Sequence, residues 1–405
     1  LPLDYAGHPV TQLDSKHFRH EAAVYDGGIM VTWLDVRTNY NIYAARIHRA
    51  LGVLDPNGFP VAQTYLAEDF PAIACLPDRC LITWHVNYGG GHVNIQGSLI
   101  SNDSTPIAGL IQISDVDTTQ VYSRPQALED EFLVLWGDLR NGPRDIYGSV
   151  VSSGGVVLSA TDIPVYSTPV NKLEYRAQVL EDSLFLVFDS YSASSNSDLW
   201  FLPLALSDAQ PSGDATLLTW GVNRTQAPAV VSAGGVTAFA FENVLEDRQQ
   251  IVLELATEAT ALTSLFYSPV QDGTALQEDH DLPAGYGRFA LAWTSLGDAG
   301  SGIWTTRWEA TETAPTLLPI QISDASALHR EPAVAILGDS HYVTWEAHDD
   351  LRSDIRLARI DANGQVSPPY GLSVSTVDAA TSPAVAADGT HVWVAWEAFQ
   401  EGLFH

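Results

Sequence analysis

The chain has 405 residues, of which 49 are acidic and only 19 are basic, so its formal net charge at pH 7 is −30. A charge of that sign argues against nucleic acids and anionic membranes as partners, because both would be repelled. The sequence has no run of about 18 apolar residues, so we expect no membrane insertion. Strong acidity is typical of proteins that stay soluble outside the cytoplasm, and we expect an extracellular, cell-surface or periplasmic location.

One pattern organises the chain, and its clearest copy covers residues 132–150. An apolar segment ends at Trp136, a polar Asn-Gly-Pro turn follows at residues 141–143, and a second apolar segment begins at Asp145. Apolar and β-branched residues on both sides of such a turn are typical of a β-hairpin. One hairpin cannot bury both of its faces, so we expect copies of this unit to pack against one another.

The pattern recurs with an aromatic residue at the end of the second segment of each copy. These anchors are Trp33, Trp84, Trp136, Phe188, Phe241, Trp293, Trp345 and Trp396, at intervals of 51–53 residues. Four short strands in a unit of about 50 residues indicate a propeller blade. The sequence therefore predicts an all-β, eight-bladed β-propeller of four-stranded antiparallel blades. It forms a single domain over residues 1–405, with the anchors packed between blades.

The N-terminus repeats a fourth-strand pattern that also occurs one unit later. Residues 3–12 match residues 54–63 at the offset of 51 that separates Trp33 from Trp84. We expect residues 1–12 to form the outer strand of the blade anchored by Trp396. The N-terminal strand would then complete the last blade and close the ring, which removes open sheet edges.

The two cysteines, Cys75 and Cys80, flank a four-residue segment between two predicted strands. This spacing predicts that they face each other across a tight turn and form a disulfide, which fits an oxidising compartment. Two free thiols in the hairpin are the alternative.

A second motif follows some of the anchors. It reads Trp33/Asp35/Arg37 with Asn41-Ile42-Tyr43, Trp136/Asp138/Arg140 with Asp145-Ile146-Tyr147-Gly148, and, more weakly, Trp345/Asp350/Arg352 with Asp354-Ile355. The motif resembles repeats of secreted bacterial β-propeller proteins and is more distantly similar to TolB-like propellers. The resemblance implies a propeller fold and, through the TolB-like proteins, a periplasmic interaction scaffold. It implies no catalytic residues, because such families are functionally mixed.

The aspartate and arginine of this motif recur together with the fold. We therefore expect them to tie the turn between the second and third strands of a blade. A ligand site is the alternative.

Familiar catalytic and cofactor motifs are absent from the sequence. It has no Gly-x-Ser-x-Gly, no His-Glu-x-x-His, no phosphate-binding glycine loop and no cysteine and histidine spacing for zinc. We expect no catalytic residues, no metal and no cofactor. Calcium in the acidic turns stays an open alternative, although the spacing of a dedicated calcium loop is missing.

The scarce basic side chains concentrate where the chain enters the first strand of each repeat. In a propeller these segments meet at one face, around the mouth of the channel. The candidate ligand-binding residues there are His20, Glu21, Arg124, Tyr175, Arg176, Arg330 and Glu331. Arginine offers a planar fork for carboxylates or sugar hydroxyls, and tyrosine adds contact area. The alternative is that these are solvated loop residues that satisfy one another.

Two functions are compatible with this pattern. The first is a non-catalytic extracellular binding or scaffold module that recognises a protein or glycan partner through one face. The second is a carbohydrate-active enzyme, a glycoside hydrolase or polysaccharide lyase, with carboxylates such as Glu21 and Glu331 at the channel mouth. We favour the first, because propellers are platforms whose function lies in sites grafted onto them.

Overall fold

We describe the fold from a computed structural model of the chain. It describes residues 10–11, 17–159, 162–172, 174–180, 183–191, 197–206, 208–219, 224–244, 249–256, 276–297, 300–312, 315–324, 327–348, 352–375, 379–400 and 403–404. Within these ranges the secondary-structure elements are all β-strands. No helix in this part of the chain is long and apolar enough to cross a membrane.

The chain divides into two compact units. The N-terminal unit comprises His8–Ser192, Phe201–Thr216 and Leu403–His405, and the C-terminal unit comprises Leu1–Gly7, Ala193–Trp200 and Leu217–Gly402. Each unit is described below by itself, and the single domain over residues 1–405 stays a prediction.

The strands follow one another with short connections. The first sixteen are β1 (His17–Tyr25), β2 (Gly28–Asp35), β3 (Asn41–His48), β4 (Gly52–Val53), β5 (Phe59–Ala62), β6 (Ala67–Leu76), β7 (Arg79–Gly89), β8 (His92–Ser101), β9 (Pro106–Ser114), β10 (Gln120–Ala127), β11 (Glu131–Asp138), β12 (Asp145–Ser152), β13 (Ile163–Tyr166), β14 (Tyr175–Leu180), β15 (Ser183–Tyr191) and β16 (Ser197–Leu204). The others are β17 (Thr216–Leu217), β18 (Arg224–Ala233), β19 (Val236–Val244), β20 (Gln249–Ala256), β21 (Leu276–Asp281), β22 (Ala284–Gly285), β23 (Arg288–Gly297), β24 (Gly300–Glu309), β25 (Leu317–Gln321), β26 (Leu328–Leu337), β27 (Ser340–His348), β28 (Ser353–Ile360), β29 (Val366–Ser373), β30 (Ala379–Ala387), β31 (Val392–Gln400) and β32 (Leu403–Phe404).

The predicted hairpin is confirmed in register. In the antiparallel pair β11–β12, Trp136 lies opposite Tyr147 and Asp138 lies opposite Asp145. The pair β2–β3 has the same arrangement, with Trp33 opposite Tyr43. The anchor and the tyrosine of each motif are therefore cross-strand neighbours, the pairs that stabilise a sheet.

The prediction of eight separate four-stranded blades is wrong. The described strands form six sheets, namely β1–β5, β6–β9, β10–β13, β14–β20, β21–β25 and β26–β32. Two sheets have seven strands because consecutive repeats are joined by a parallel bridge, from Ser197 to Arg224 in one case and from Ser353 to Ala379 in the other. Spacing alone counts such a pair as two blades, whereas hydrogen bonding makes it one sheet.

The predicted closure of the ring by residues 1–12 lies almost wholly outside the described residues, because only residues 10 and 11 of that segment are described. The pairing of this segment with the blade anchored by Trp396 therefore stays a prediction.

The core of each unit lies between consecutive repeats, as the aromatic anchors predict. In the N-terminal unit Trp84 is buried in one cluster with Met30 and Ile42 of the preceding sheet. In the C-terminal unit Trp293 is buried in a cluster with Ala238 and Leu253 of the preceding repeat. In both units the indole packs against apolar side chains of the preceding repeat, as expected for a closely packed interior.

Two cross-links reinforce the N-terminal unit. Cys75 and Cys80 are paired across β6 and β7 and joined by a disulfide, with their Cα atoms 4.0 Å apart. Lys172 has a fully buried side chain whose Nζ donates to Oδ1 of Asp145 at 2.8 Å and to the carbonyl oxygen of Thr168 at 2.9 Å. Buried ammonium groups need such partners, because an unpaired charge in the interior is costly.

Candidate functional site

The aspartate of the Trp-Asp-Arg motif is structural, as predicted. The fully buried carboxylate of Asp138 accepts hydrogen bonds from Nε1 of Trp136 at 3.1 Å and from Nε and Nη2 of Arg140 at 2.9 and 2.6 Å. Arg140 in turn lies over the ring of Tyr147, 4.0 Å from its centroid. The motif therefore links the anchor, the turn and the third strand of the repeat. Its polar groups bond to one another within the fold.

Asp35 makes the same contacts with Trp33 and Arg37, and Arg37 lies 3.8 Å from the ring centroid of Tyr43. Of the weaker third copy, Asp350 lies outside the described residues.

A backbone feature that the sequence period does not reveal recurs in the first strand of most repeats. Seven of these strands contain one extra residue relative to the second strand, and the backbone there adopts a φ between 50° and 58°. We call this residue the bulge position. Its occupants are Arg19, Phe70, Tyr122, Ala227, Asp279, Glu331 and Ser382. Strand β14 pairs with β15 without an extra residue.

In the N-terminal unit, the side chains at consecutive bulge positions touch one another. The guanidinium carbon of Arg19 lies 3.4 Å from the ring centroid of Phe70. The rings of Phe70 and Tyr122 meet edge to face with centroids 4.8 Å apart. Arg19 also donates to Oδ1 of Asp69 at 2.8 Å. A strip of cationic and aromatic surface results, and 42% of the Arg19 side chain remains exposed.

His85 lies beneath this strip. Its ring centroid is 4.9 Å from that of Phe70 and 6.3 Å from that of Tyr122. Burial lowers the pKa of His85 to about 4, and the nearby charge of Arg19 contributes. The imidazole is therefore neutral at pH 7. Its Nδ1 is buried and has no hydrogen-bond partner among the described residues.

Three further arginines lie close enough to Tyr175 for their charges to lower its pKa, and one of them also contacts Tyr122. Arg144 lies over the Tyr122 ring, 5.1 Å from the centroid. Arg124 forms an ion pair with Glu21 at 2.9 Å, in which both side chains are about two-fifths exposed. Burial lowers the pKa of Arg176, and the like charge of Arg124 lowers it further. Positive charge is thus locally in excess around an aromatic surface.

Tyr175 supports this arrangement from below. Its hydroxyl donates to the backbone oxygen of Tyr122, and its own carbonyl accepts from Nη1 of Arg176 at 2.9 Å. The residue is buried, and burial raises its pKa. Tyr175 is therefore a support for the bulge at Tyr122 rather than an exposed contact surface.

These side chains form what we call the arginine–aromatic cluster. Its members are Arg19, Phe70, His85, Tyr122, Arg124, Arg144, Tyr175 and Arg176. The carboxylates nearest to it are Glu21, Asp69 and Glu174. The other part of the predicted set in this unit, His20, is half-buried on β1 next to Arg19.

Arg330 and Glu331 belong to the C-terminal unit and have different surroundings. Arg330 donates from Nε to Oε2 of the buried Glu346 at 2.9 Å, and His348 contacts the same oxygen at 2.6 Å. Loss of hydration and the neighbouring Glu346 raise the pKa of Glu331 to about 7. Asp279 also has a raised pKa, first from burial and then from Glu242. This region is acidic, and Arg330 is occupied in neutralising it.

The arginine–aromatic cluster therefore contains some of the candidate residues predicted from the sequence and others that were not predicted. The structure brings together Glu21, Arg124, Tyr175 and Arg176, but Phe70 and His85 were not among the candidates. The interval of 51–52 residues between Arg19, Phe70 and Tyr122 was a signal that could have found Phe70. Among the described residues no group of three histidine, cysteine or carboxylate side chains is placed to hold a metal ion.

Comparisons with known proteins show the fold. No protein-family model matches the chain, and no curated protein sequence matches it. A solved polysaccharide lyase of family PL25, an ulvan lyase, is similar with a TM-score of 0.54 and 10% identity over 89% of this chain and 96% of its own. A puromycin-hydrolysing peptidase from Mycobacterium tuberculosis gives 0.51 and 13% over 85% of this chain and 54% of its own. At such identities these likenesses establish an all-β propeller fold built of antiparallel sheets, and nothing about activity.

Proposed function

We propose that the N-terminal unit binds an anionic glycan through the arginine–aromatic cluster. The observation that carries the proposal is the continuous contact from Arg19 to Phe70 to Tyr122, with Arg144 over the Tyr122 ring and with Arg124 and Arg176 near Tyr175, which bonds to the Tyr122 backbone. In a chain of net charge −30, this local excess of arginine favours a ligand with carboxylate or sulfate groups. A location outside the cytoplasm, where such glycans occur, fits this proposal.

The chemistry of recognition follows from the exposure of each group. The Glu21–Arg124 pair lies at the surface, where an ion pair contributes little net stability. A ligand carboxylate can therefore replace Glu21 on the guanidinium at small cost, and it would gain a planar two-bond contact. Arg19 lies over the Phe70 ring and Arg144 over the Tyr122 ring, so the apolar surface open to a sugar ring is the exposed part of Tyr122.

Binding to a panel of soluble acidic and neutral polysaccharides tests the proposal. We expect an acidic polysaccharide to bind, and Arg124→Ala and Arg176→Ala each to weaken binding by about 1–3 kcal/mol, the value of a hydrogen bond to a charged group. Arg330→Ala shows whether the C-terminal unit contributes.

The matched control is Arg49→Ala, which removes a partly exposed arginine from the same unit, outside the cluster. Equal weakening by the control, or binding of neutral polysaccharides only, would contradict the proposal.

A second candidate function is cleavage of the same glycan by β-elimination, the reaction of a polysaccharide lyase. The observation that favours it is the neutral, buried imidazole of His85 beside the phenol of Tyr122. In this reaction a base takes the proton next to the sugar carboxylate while the bond to the leaving oxygen breaks. A carbon–carbon double bond forms, and an acid returns a proton to that oxygen. His85 can accept the first proton and Tyr122 can donate the second, while arginine neutralises the carboxylate.

The hydrolase version of the enzyme hypothesis has less support, because it needs two carboxylates and Glu331, the second one named for it, is not a member of the arginine–aromatic cluster. The test of the lyase is ultraviolet absorbance of the unsaturated product from an acidic polysaccharide. We expect His85→Gln to abolish the signal while binding persists. Binding without any unsaturated product from the parent protein leaves recognition alone as the function.

A further inference from the structure

We propose that the bulge positions of the N-terminal unit determine which sugar it accepts, so that Arg19, Phe70 and Tyr122 are its specificity-determining residues. This inference rests on the proposed binding of an anionic glycan and names the residues and the ligand class for that same site. The ligand class is a polymer containing hexuronate residues, which combine a pyranose ring with a carboxylate.

The first argument is that the backbone at these positions is fixed while the side chain varies. The positions recur every 51 or 52 residues apart from one longer gap, between Tyr122 and Ala227. Arginine, phenylalanine, tyrosine, alanine, aspartate, glutamate and serine all occupy this conformation. A positive φ is unfavourable for each of them, since only glycine adopts it without steric cost. The fold therefore keeps the same bulged backbone with any of these side chains. A bulge also changes the direction in which its side chain points.

The second argument is that the bulge side chains differ in chemistry between the two units. In the N-terminal unit they form the contacting strip of Arg19, Phe70 and Tyr122. In the C-terminal unit two consecutive positions carry Asp279 and Glu331, and the backbone N–H of Glu331 donates to the carboxylate of Asp279. Acids at this position repel a polyanion, whereas the cationic and aromatic strip attracts one. The side chain at the bulge therefore decides the charge and shape of what can bind.

The third argument concerns the fit of a hexuronate to the strip. The Arg19 side chain is 42% exposed and can place its guanidinium on a carboxylate. Tyr122 is 37% exposed, so its ring is accessible to a sugar ring, and the half-buried Phe70 beside it supports that ring. A sugar ring on the aromatic pair then brings its carboxylate towards Arg19.

Glycine substitution separates a specificity role from a structural one. Phe70→Gly and Tyr122→Gly remove the side chain, which lowers stability, but they also relieve the unfavourable φ, which raises it. The two effects oppose each other, so the melting temperature should change little. Affinity for a soluble polyuronate should fall about tenfold or more for each variant, as for other central aromatic contacts. Tyr122→Leu provides a second variant, which keeps apolar bulk without the aromatic face and should also bind weakly.

The matched controls are Ala227→Gly and Ser382→Gly, which change the same backbone position without removing a cluster side chain. They should leave affinity unchanged. Arg19→Glu should abolish polyuronate binding at low salt, because it places a carboxylate where the ligand carboxylate would lie.

The outcomes separate this inference from the proposed function. If Arg124→Ala loses affinity while the Phe70, Tyr122 and Arg19 variants bind as the parent does, the bulge inference is wrong and glycan binding stands. If the parent binds no acidic polysaccharide, both are wrong. If the glycine variants lose affinity and the controls do not, the bulge positions determine specificity.

Discussion

Asp35 and Asp138 are single carboxylates that hold three parts of a repeat together. Each accepts from the anchor indole and from the motif arginine, and each is fully buried. Burial by itself would raise the pKa of Asp138, but the hydrogen bonds from Arg140 and Gln120 outweigh it and hold the pKa below its usual value. The ionised form is therefore the one that stabilises the fold.

We predict that Asp138→Asn lowers the free energy of unfolding by about 1.5–3 kcal/mol, because it removes the buried charge that accepts from Arg140 and leaves Asp162 as the other carboxylate paired with that arginine. Urea denaturation measures this. Since the folded-state pKa is depressed, the contribution of Asp138 is present above the unfolded pKa of about 3.9 and is lost as pH falls through the folded value. The difference between parent and variant should shrink in acid.

The control for this substitution is Asp117→Asn, at a carboxylate whose side chain is 97% exposed. It should change stability by no more than about 0.5 kcal/mol. An equal loss in both variants would show that net charge, not the buried contacts, is responsible.

For single residues, the sequence predicted a role only where the residue belongs to a motif that is repeated along the chain. Asp138 and Arg140 stand at fixed distances from the anchor, so the amino-acid pattern alone was enough to infer their structural role. His85 directly follows the anchor Trp84, yet its chemistry depends on Phe70 and Tyr122 from two other strands. The contacts of His85 with Phe70 and Tyr122 belong to no motif along the chain, so the candidate site lacked His85.

At the scale of the elements, two outer strands need glycine where the chain passes an anchor tryptophan. A Cβ atom added to Gly58 would lie 2.4 Å from the indole of Trp33, and one added to Gly371 would lie 2.4 Å from that of Trp345. Both glycines also have a positive φ. The chain therefore passes the tryptophan at a distance that only glycine permits.

We predict that Gly58→Ala destabilises the protein by about 2–4 kcal/mol, since it combines an unfavourable φ with overpacking against Trp33. Gly142→Ala is the matched control, because Gly142 also has a positive φ but nothing within 4 Å of the added Cβ atom. It should cost about 1–2 kcal/mol. Thermal unfolding of the two variants decides the matter, and equal losses would exclude the contact with Trp33 as a cause.

The sequence predicted where strands lie but not where they are bulged. The apolar segment that ends at Trp136 and the Asn-Gly-Pro turn after it predicted β11 and β12 correctly. One extra residue in β6 or β10 leaves the interval between anchors almost unchanged, so the spacing of the anchors did not show that the strands are bulged at Phe70 and Tyr122. The parallel bridges that merge repeats into one sheet involve single residue pairs and were likewise not predictable.

For the whole molecule, the excess of acidic residues sets the response to salt. A net charge of −30 destabilises a compact chain by self-repulsion. We predict that the melting temperature rises by a few degrees between about 0.01 M and about 0.5 M sodium chloride, as screening shortens the range of the repulsion. Scanning calorimetry at several salt concentrations measures this effect.

A double variant gives the control, because Asp26→Asn and Asp117→Asn remove two exposed charges. It should respond less to salt than the parent. A melting temperature that falls with added salt would mean that attractive ion pairs outweigh the repulsion.

The burial of Lys172 has a practical consequence. The chain contains two lysines, Lys16 and Lys172, and the second is sealed beside Asp145 without any exposed surface. An amine-directed reagent should therefore spare Lys172 as long as the native packing persists, and should label it once that packing opens. The lysine thus acts as an internal reporter of unfolding in the N-terminal unit, readable by peptide mass spectrometry without any engineered probe.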